Sequence, residues 1–230
     1  IINPSNSPID FSDPIQNAKA YVKLVGTTDR GMVHLYNKGT IYGVTPDEGA
    51  KPMIGYTSVL KGVWKPWTED SFYYTLYDYG YFMDLETGLP IQEFKNPFTG
   101  EINHPGKIKG GPFDRVIRPE VRKFVVRNND VWLNEDLFIN VVNKLDPEIW
   151  TKASAGKTLN FLYVESYNGK VSDLANPEIS SAPMQLISTH NTSWYPFFLM
   201  GQRPGGRYWQ AIGKKIVNLD EEVPSVLLNF

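Results

Sequence analysis

The sequence predicts a mainly β fold: a single antiparallel β-barrel with a few short helices. About ten segments alternate apolar with polar side chains or are rich in β-branched and aromatic residues, as strands are. The 19 glycines and 17 prolines are spread along the chain as turn residues, without a repeat or low-complexity tract that would divide it. Closure into a barrel would remove the edges of so many short strands. We therefore expect one calycin- or lipocalin-like domain over residues 1–230, with a polar extension at 1–10.

The first half of the chain is predicted to form a short helix and then antiparallel hairpins. Ser12 is suited to be the N-cap of the helix, with Asp13 and Pro14 in its first turn. β-favouring residues then predict a strand at 21–25. Turns rich in Gly, Pro, Asp and Glu separate the strands predicted after it, which are 32–38, 40–45, 53–64, 71–84 and 89–94.

The second half continues the same pattern. The turn Asn128-Asn129-Asp130 joins two predicted strands, 121–127 and 131–142. A strand at 158–167 is expected to end in a turn at Asn168-Gly169. The remaining predicted elements are a helical turn at 171–176 that Pro177 stops, extended segments at 183–194 and 207–217, and a short helix at 221–228.

Composition excludes several classes of function. The absence of cysteine rules out thiolate catalysis, disulfides, iron–sulfur clusters and cysteine zinc sites. A formal net charge of −2 gives no basic surplus, which argues against a nucleic-acid partner. No apolar run approaches the roughly 18 residues of a membrane span. The chain begins at Ile1 rather than Met, which a signal peptide upstream would explain, and the compartment, periplasmic or cytoplasmic, is left open.

Three pairs of short motifs and one longer motif, taken in order, resemble a known family. These are Lys23-Leu-Val-Gly26 with Tyr42-Gly43, Asp84-Leu-Glu-Thr-Gly88 with Asn96-Pro-Phe-Thr-Gly-Glu101, Trp194-Tyr-Pro-Phe-Phe-Leu-Met-Gly201, and Gly213-Lys214 with Val223-Pro224. From about Asp10 to Pro224 the chain is similar to the bacterial and fungal DUF1838 family. Its members usually have a second tryptophan where this chain has Phe197 and Phe198. The resemblance implies a β-rich, barrel-like domain and supplies no catalytic residues.

The histidines are the first candidates for acid–base chemistry, because the ordinary pKa of histidine, about 6.5, lies near working pH. The chain has three, His34, His104 and His190, and their spacing excludes an H-E-x-x-H metalloprotease motif. His104 and His190 precede turns at the expected barrel rim, so we predict that one of them is the general base. A three-histidine zinc site is the alternative, but we expect no metal and no cofactor.

Carboxylates, hydroxyls and arginines complete the predicted catalytic set. Glu165 lies on one face with three aromatic residues, where burial would raise its pKa, and Asp78 and Asp84 also interrupt aromatic strands. Asp84 has the simpler explanation of a turn that its side chain stabilises. Tyr42 or Tyr74 would donate a hydroxyl hydrogen bond to a developing oxyanion. Arg118 or Arg207 would anchor a substrate carboxylate or phenolate.

Aromatic residues make up 13% of the chain, and two Pro-broken clusters stand out. One contains Trp64 and Trp67, and the other contains Trp194, Phe198 and Met200. Rigid turns with large rings and an adaptable methionine are typical of the mouth of an apolar cavity. Ordinary core packing explains the same residues.

These observations favour an enzyme that needs no cofactor and works by acid–base chemistry, as a lyase, isomerase or hydrolase. Its substrate would be a small apolar, aromatic or terpenoid-like molecule in the barrel cavity. The first alternative is a non-catalytic carrier of a hydrophobic small molecule, and the second is an interaction module with a filled interior. A homodimer is left open.

Overall fold

A nine-stranded antiparallel sheet dominates the computed structural model, which describes residues 8–216 and 219–228. In chain order its elements are α1 (Pro14–Val25), β1 (Gly31–Thr45), β2 (Gly49–Thr68), β3 (Ser71–Met83), β4 (Phe94–Lys95), β5 (Ile102–Asn103), β6 (Lys107–Ile117), β7 (Phe124–Arg127), β8 (Asp130–Val142), β9 (Thr158–Lys170), α2 (Val171–Ala175), β10 (Gln185–Thr192), β11 (Gly206–Ile216) and α3 (Leu219–Glu222). Single 3-10 turns are formed by Pro196–Phe198 and Ser225–Leu227.

The large sheet is curled into a half-barrel with the strand order β6-β3-β2-β1-β11-β10-β9-β8-β7. Strands β4 and β5 form a separate two-stranded sheet. The mainly β, antiparallel fold is confirmed. The closed calycin- or lipocalin-like barrel is not confirmed, because β6 and β7 lie at opposite ends of the strand order in the described chain.

Helix α1 differs from the prediction at both ends. Its N-cap is Asp13 rather than Ser12, and the Asp13 carboxylate accepts hydrogen bonds from the backbone N–H groups of Ile15 and Gln16. The predicted strand at 21–25 is wrong, since the helix continues to Val25. Tyr21, Val22 and Leu24 are buried against the sheet, and this packing outweighs their β propensity.

Two hydrophobic clusters fill the two ends of the concave face. The first lies under α1, where Leu24 packs with Trp64, Tyr74 and Leu133. The second lies under the segment 194–200, where Phe198 packs with Tyr56 and other buried residues: Ile41, Ile54, Phe82, Trp194, Met200 and Trp209. The two clusters leave the middle of the concave face for polar side chains.

Several strand boundaries also differ from the prediction. β1 runs unbroken through Gly39, which is required there because a Cβ would lie 2.0 Å from the carbonyl oxygen of Gln210 on β11. The predicted return strand at 89–94 is reduced to an isolated bridge between Met83 and Pro90, followed by the short β4. Strand β6 has no counterpart among the predicted strands. In contrast, the hairpin of β7 and β8 and the helical turn α2 are confirmed.

Candidate active site

The middle of the concave face brings together polar side chains from four strands. Ser188 on β10 is opposite Glu165 on β9, and the next concave residue, His190, lies between Tyr163 on β9 and Trp209 on β11. The ring centre of His190 is 4.3 Å from that of Tyr163 and 5.4 Å from that of Trp209. We call the group the concave cluster; it consists of Tyr56, Tyr163, Glu165, Tyr167, Ser188, His190, Arg207 and Trp209.

Ser188 connects His190 to Glu165. Its Oγ lies 2.8 Å from His190 Nε2. Ser188 is also directly opposite Glu165, and its hydroxyl lowers the pKa of that carboxyl group. An ionised carboxylate can only accept, so Ser188 then donates to Glu165 and accepts from the Nε2–H of His190. Tyr167 donates a hydrogen bond to Glu165 from its hydroxyl. In this arrangement Nδ1 of His190 keeps the free lone pair of a general base.

The pKa values of Glu165 and His190 are shifted in opposite directions from their ordinary values. Burial raises the pKa of Glu165; the hydrogen bond from Tyr167 opposes this, and the nearby Glu135 carboxylate adds to it. Burial lowers the pKa of His190 to about 3, and the positive charge of Arg207 contributes. A proton taken up by His190 is therefore more stable once it has passed to Glu165.

Arg207 is the only large charged side chain that is nearly inaccessible in the concave cluster, with 1% of its surface exposed. Its guanidinium carbon lies 3.4 Å from the ring centre of Tyr195 and 5.2 Å from that of Trp209. Within the described chain, none of its three guanidinium nitrogens has a hydrogen-bond partner. A buried charge without a hydrogen-bond partner destabilises the fold, so packing alone does not explain why an arginine occupies this position.

An apolar surface adjoins the charged groups on the concave face of β8 and β9. Leu137 is opposite Tyr163, and Ile139 is opposite Phe161. The rings of Phe161 and Tyr163 are nearly parallel, with centres 6.3 Å apart. Leu137 is 46% exposed, and the other three side chains are half-buried. We call these four residues the apolar shelf; they offer an apolar molecule a surface beside His190.

Across the half-barrel, Tyr56 and Asp78 contribute a second polar wall. The ring centre of Tyr56 is 3.8 Å from that of Trp209, and burial raises the pKa of the Tyr56 phenol. Burial also raises the pKa of Asp78 to about 6, against the opposing effect of a hydrogen bond from Ser58. One carboxylate oxygen of Asp78, Oδ1, is buried without a hydrogen-bond partner in the described chain.

Glu135, directly opposite Glu165 on β8, has partners of its own. Its carboxylate accepts a 3.1 Å hydrogen bond from the Tyr21 hydroxyl and forms an ion pair with Arg122, at 3.5 Å from Nε. These contacts tie β8 to α1 and to the segment after β6. Of the two facing carboxylates, Glu135 is therefore held by structural contacts, and Glu165 is the one directly opposite Ser188, which contacts His190.

Nine of the predicted site residues lie outside the concave cluster, and four of these also lie outside the two hydrophobic clusters. His104 lies on a loop with 70% of its side chain exposed, 3.9 Å from a carboxylate oxygen of Glu93. Tyr42 points to the opposite, convex face, as its cross-strand neighbour Tyr208 does. Trp67 is exposed near the end of β2, and Arg118 is exposed directly after β6, which carries no residue of the concave cluster.

The other predicted aromatic residues lie in the two hydrophobic clusters. Trp64 stacks on Tyr74 with ring centres 4.3 Å apart beneath α1. Trp194, Phe198 and Met200 are buried in the second cluster, where they pack beside the concave cluster. Of the predicted site residues, the structure brings three together in the concave cluster: His190, Glu165 and Arg207.

Sequence reasoning missed Ser188, Trp209 and Tyr56. Ser188 had one usable indication, since it lies two residues before His190 and so shares its face of an extended strand. Nothing local marks Trp209 or Tyr56, because both are recognised only through their cross-strand neighbours. In residues 8–216 and 219–228, no three side chains of the metal-ligating types form a group that would hold a metal ion.

The fold and site together define a class of protein: an antiparallel half-barrel with a buried, titratable concave face. A family model described as "Protein of unknown function (DUF1838)" matches residues 31–229, from the start of β1 across all the strands of the large sheet. The chain belongs to the DUF1838 family. No curated protein matches it. None of the helices in the described ranges has the length and apolar character needed to span a membrane.

Proposed function

We propose that this protein is an enzyme that transfers a proton on a small, largely apolar molecule held in the half-barrel, without a cofactor. The observation that carries the proposal is the proton path His190–Ser188–Glu165, in which Ser188 is hydrogen-bonded to His190 and directly opposite Glu165, a proton acceptor of raised pKa. The apolar shelf beside it suits an aromatic or terpenoid-like skeleton. Elimination and isomerisation begin with such a transfer, whereas in hydrolysis the same base would take the proton from an attacking water molecule.

In this mechanism, Nδ1 of His190 removes a proton from the substrate. The Nε2 proton moves to Ser188, and the Ser188 hydroxyl proton moves to Glu165, so that the imidazole ends neutral and the carboxyl group ends protonated. The lowered pKa of His190 prevents a stable imidazolium, and the raised pKa of Glu165 stabilises the transferred proton. Return of the proton to another substrate atom gives isomerisation, whereas departure of a leaving group gives elimination.

The negative charge left on the substrate needs neutral donors nearby. Trp209 Nε1 is a buried donor without a hydrogen-bond partner in the described chain. Burial raises the pKa of Tyr163 to about 12, so its hydroxyl stays protonated at neutral pH and can donate. Donors fixed in a buried site stabilise such charge more than water does. In this proposal they take the role that the sequence suggested for Tyr42 or Tyr74.

A carrier of hydrophobic molecules is the second candidate. The observation that favours it is the combination of the apolar shelf with Arg207, because a carrier needs only apolar walls and one or two orienting polar groups. A carrier has no use for the link between His190 and Glu165. The two candidates therefore differ in whether a bound molecule loses a proton.

Nitrobenzisoxazole is a suitable probe, because base removes its ring C–H proton, the N–O bond breaks and a coloured cyanophenolate forms, with no other reactant. We expect the wild-type protein to accelerate this elimination above the rate in buffer, with saturation. His104→Gln is the matched control, since it removes an exposed histidine outside the concave cluster, and it should leave the rate unchanged.

Two results would contradict the enzyme proposal. One is a wild-type rate no higher than that of buffer although calorimetry shows the probe bound, which would favour the carrier. The other is a rate that falls in His104→Gln as much as in Glu165→Gln, which would place the chemistry outside the half-barrel.

A further inference from the structure

The positively charged guanidinium of Arg207 lies against the rings of Tyr195 and Trp209 but has no hydrogen-bond partner in the described residues. The titratable groups whose charges act on it are the phenols of Tyr195, Tyr163 and Tyr56, with no carboxylate among them. Its Nε and both Nη atoms are buried without hydrogen bonds in the described part of the chain. Arg203, four residues earlier, shows the ordinary situation: it binds the Glu48 carboxylate at 2.8 Å and the Phe98 carbonyl at 3.3 Å.

The position of Arg207 in the sheet directs it to the same space as the catalytic series. Arg207 is opposite Thr192 on β10, and Thr192 is opposite Phe161 of the apolar shelf. Arg207 is also two residues before Trp209, on the same face of β11, and Trp209 is opposite His190. A molecule lying on the apolar shelf would thus have one end at the guanidinium of Arg207 and its body beside the imidazole of His190.

We propose, resting on the proposed function, that the molecule bound in the half-barrel is a monocarboxylate with an apolar body, its carboxylate on the edge of the Arg207 guanidinium and its body on the apolar shelf. A carboxylate matches the planar fork of N–H donors in arginine and can form two parallel hydrogen bonds with it. One guanidinium among phenols balances one negative charge, which favours a carboxylate over a phosphate dianion.

Tyr195 controls access to this position. Its ring covers one face of the guanidinium, and its own side chain is half-buried. The N–H donors point from the edge of the guanidinium, so the stacked ring does not occupy the place of the carboxylate. Because Arg207 is only 1% exposed, the Tyr195 ring has to swing outward for the ligand to enter. Leu199, which follows the 3-10 turn after Tyr195, has a φ of 53°, a left-handed conformation that is strained for a non-glycine residue.

The test compares 3-phenylpropanoate with its neutral amide by isothermal titration calorimetry. We expect the carboxylate to bind the wild-type protein at least about 30-fold more tightly than the amide, as loss of a charged hydrogen-bonded pair implies. Inorganic phosphate should bind more weakly than the carboxylate. Equal affinities for carboxylate and amide would overturn the proposal. Tighter binding of phosphate than of the carboxylate would also overturn it, in favour of a ligand with a phosphate group.

Arg207→Met and its matched control, Arg203→Met, separate a binding role from a structural one. Arg207→Met should abolish the preference for carboxylate over amide while its melting temperature stays equal to the wild type or rises, because an unpaired buried charge is removed. Arg203→Met should keep the preference. A fall in melting temperature of Arg207→Met with the preference retained would contradict the proposal.

If Arg207→Met does not fold, the melting temperature of the wild-type protein is measured with each ligand. Stabilisation by the carboxylate but not by the amide supports the proposal, and equal stabilisation by both overturns it. All these measurements record binding rather than turnover. A protein that binds the carboxylate through Arg207 yet leaves nitrobenzisoxazole intact would support this inference and overturn the proposed enzyme. A protein that accelerates the elimination of nitrobenzisoxazole but binds carboxylate and amide equally would support the proposed enzyme and overturn this inference.

Discussion

Replacing His190 by Gln lowers the rate of nitrobenzisoxazole elimination by roughly a hundred- to ten-thousand-fold, the usual contribution of a general base. Glutamine can still accept and donate hydrogen bonds beside Ser188 but cannot take up the substrate proton. The measurement is the initial rate of cyanophenolate formation under saturating probe, with the affinity for the probe determined separately.

Ser188→Ala tests whether His190 works through Glu165. This change leaves the imidazole in place and removes the hydroxyl that joins it to the carboxylate, so the rate should fall while the affinity for the probe stays the same. Ser166→Ala is the matched control, because the Ser166 hydroxyl lies on the other face of β9 and binds Asn134. A Ser188→Ala rate equal to that of wild type would show that His190 acts without Glu165.

Asp78→Asn changes how the stability of the protein depends on pH. Burial raises the pKa of Asp78 from 3.8 to about 6, so the folded state binds the proton more tightly than the unfolded state. This contribution to stability is fully present below pH 3.8 and is lost as the pH rises through about 6. A shift of this size corresponds to roughly 3 kcal/mol, so Asp78→Asn should be more stable than wild type at pH 7 by up to about that amount.

The measurement is the free energy of unfolding by urea at several values of pH from 4 to 8. The difference between Asp78→Asn and wild type should grow as the pH rises. Asp84→Asn is the control: hydrogen bonds from Thr87 lower the pKa of Asp84 below 3.8, so its contribution is lost only below that pH and its difference from wild type should stay nearly constant from pH 4 to 8. A constant difference between Asp78→Asn and wild type across this range would contradict the account.

The sequence predicted the type of most strands because their alternation is local. Strands β3 and β8 were found with nearly their observed bounds, since turn residues flank them. Strand β6 was missed because Lys107, Gly110, Gly111 and Pro112 conceal its alternation, and only pairing with β3 makes it a strand. Helix α1 was cut short because its buried last turn consists of residues that favour strands in isolation.

The site was predictable where one strand carried the information. Glu165 was placed correctly among Phe161, Tyr163 and Tyr167, because side chains two residues apart share a face. The link from His190 to Glu165 depends on the register between β9 and β10, which no local pattern reveals. Likewise, Arg207 became notable only when its lack of a partner was visible. His104 had the same local features as His190 but lies outside the sheet's concave face.

The most direct test of the proposed proton path His190–Ser188–Glu165 is the protonation state of His190, measured by nitrogen NMR of labelled histidine. The chain has only three histidines, and His34→Gln and His104→Gln assign the signals. We predict a neutral His190 with its proton on Nε2 at neutral pH, which stays neutral well below pH 6 because its pKa is about 3. An imidazolium at pH 6, or a neutral ring with the proton on Nδ1, would contradict the transfer of a proton from His190 through Ser188 to Glu165.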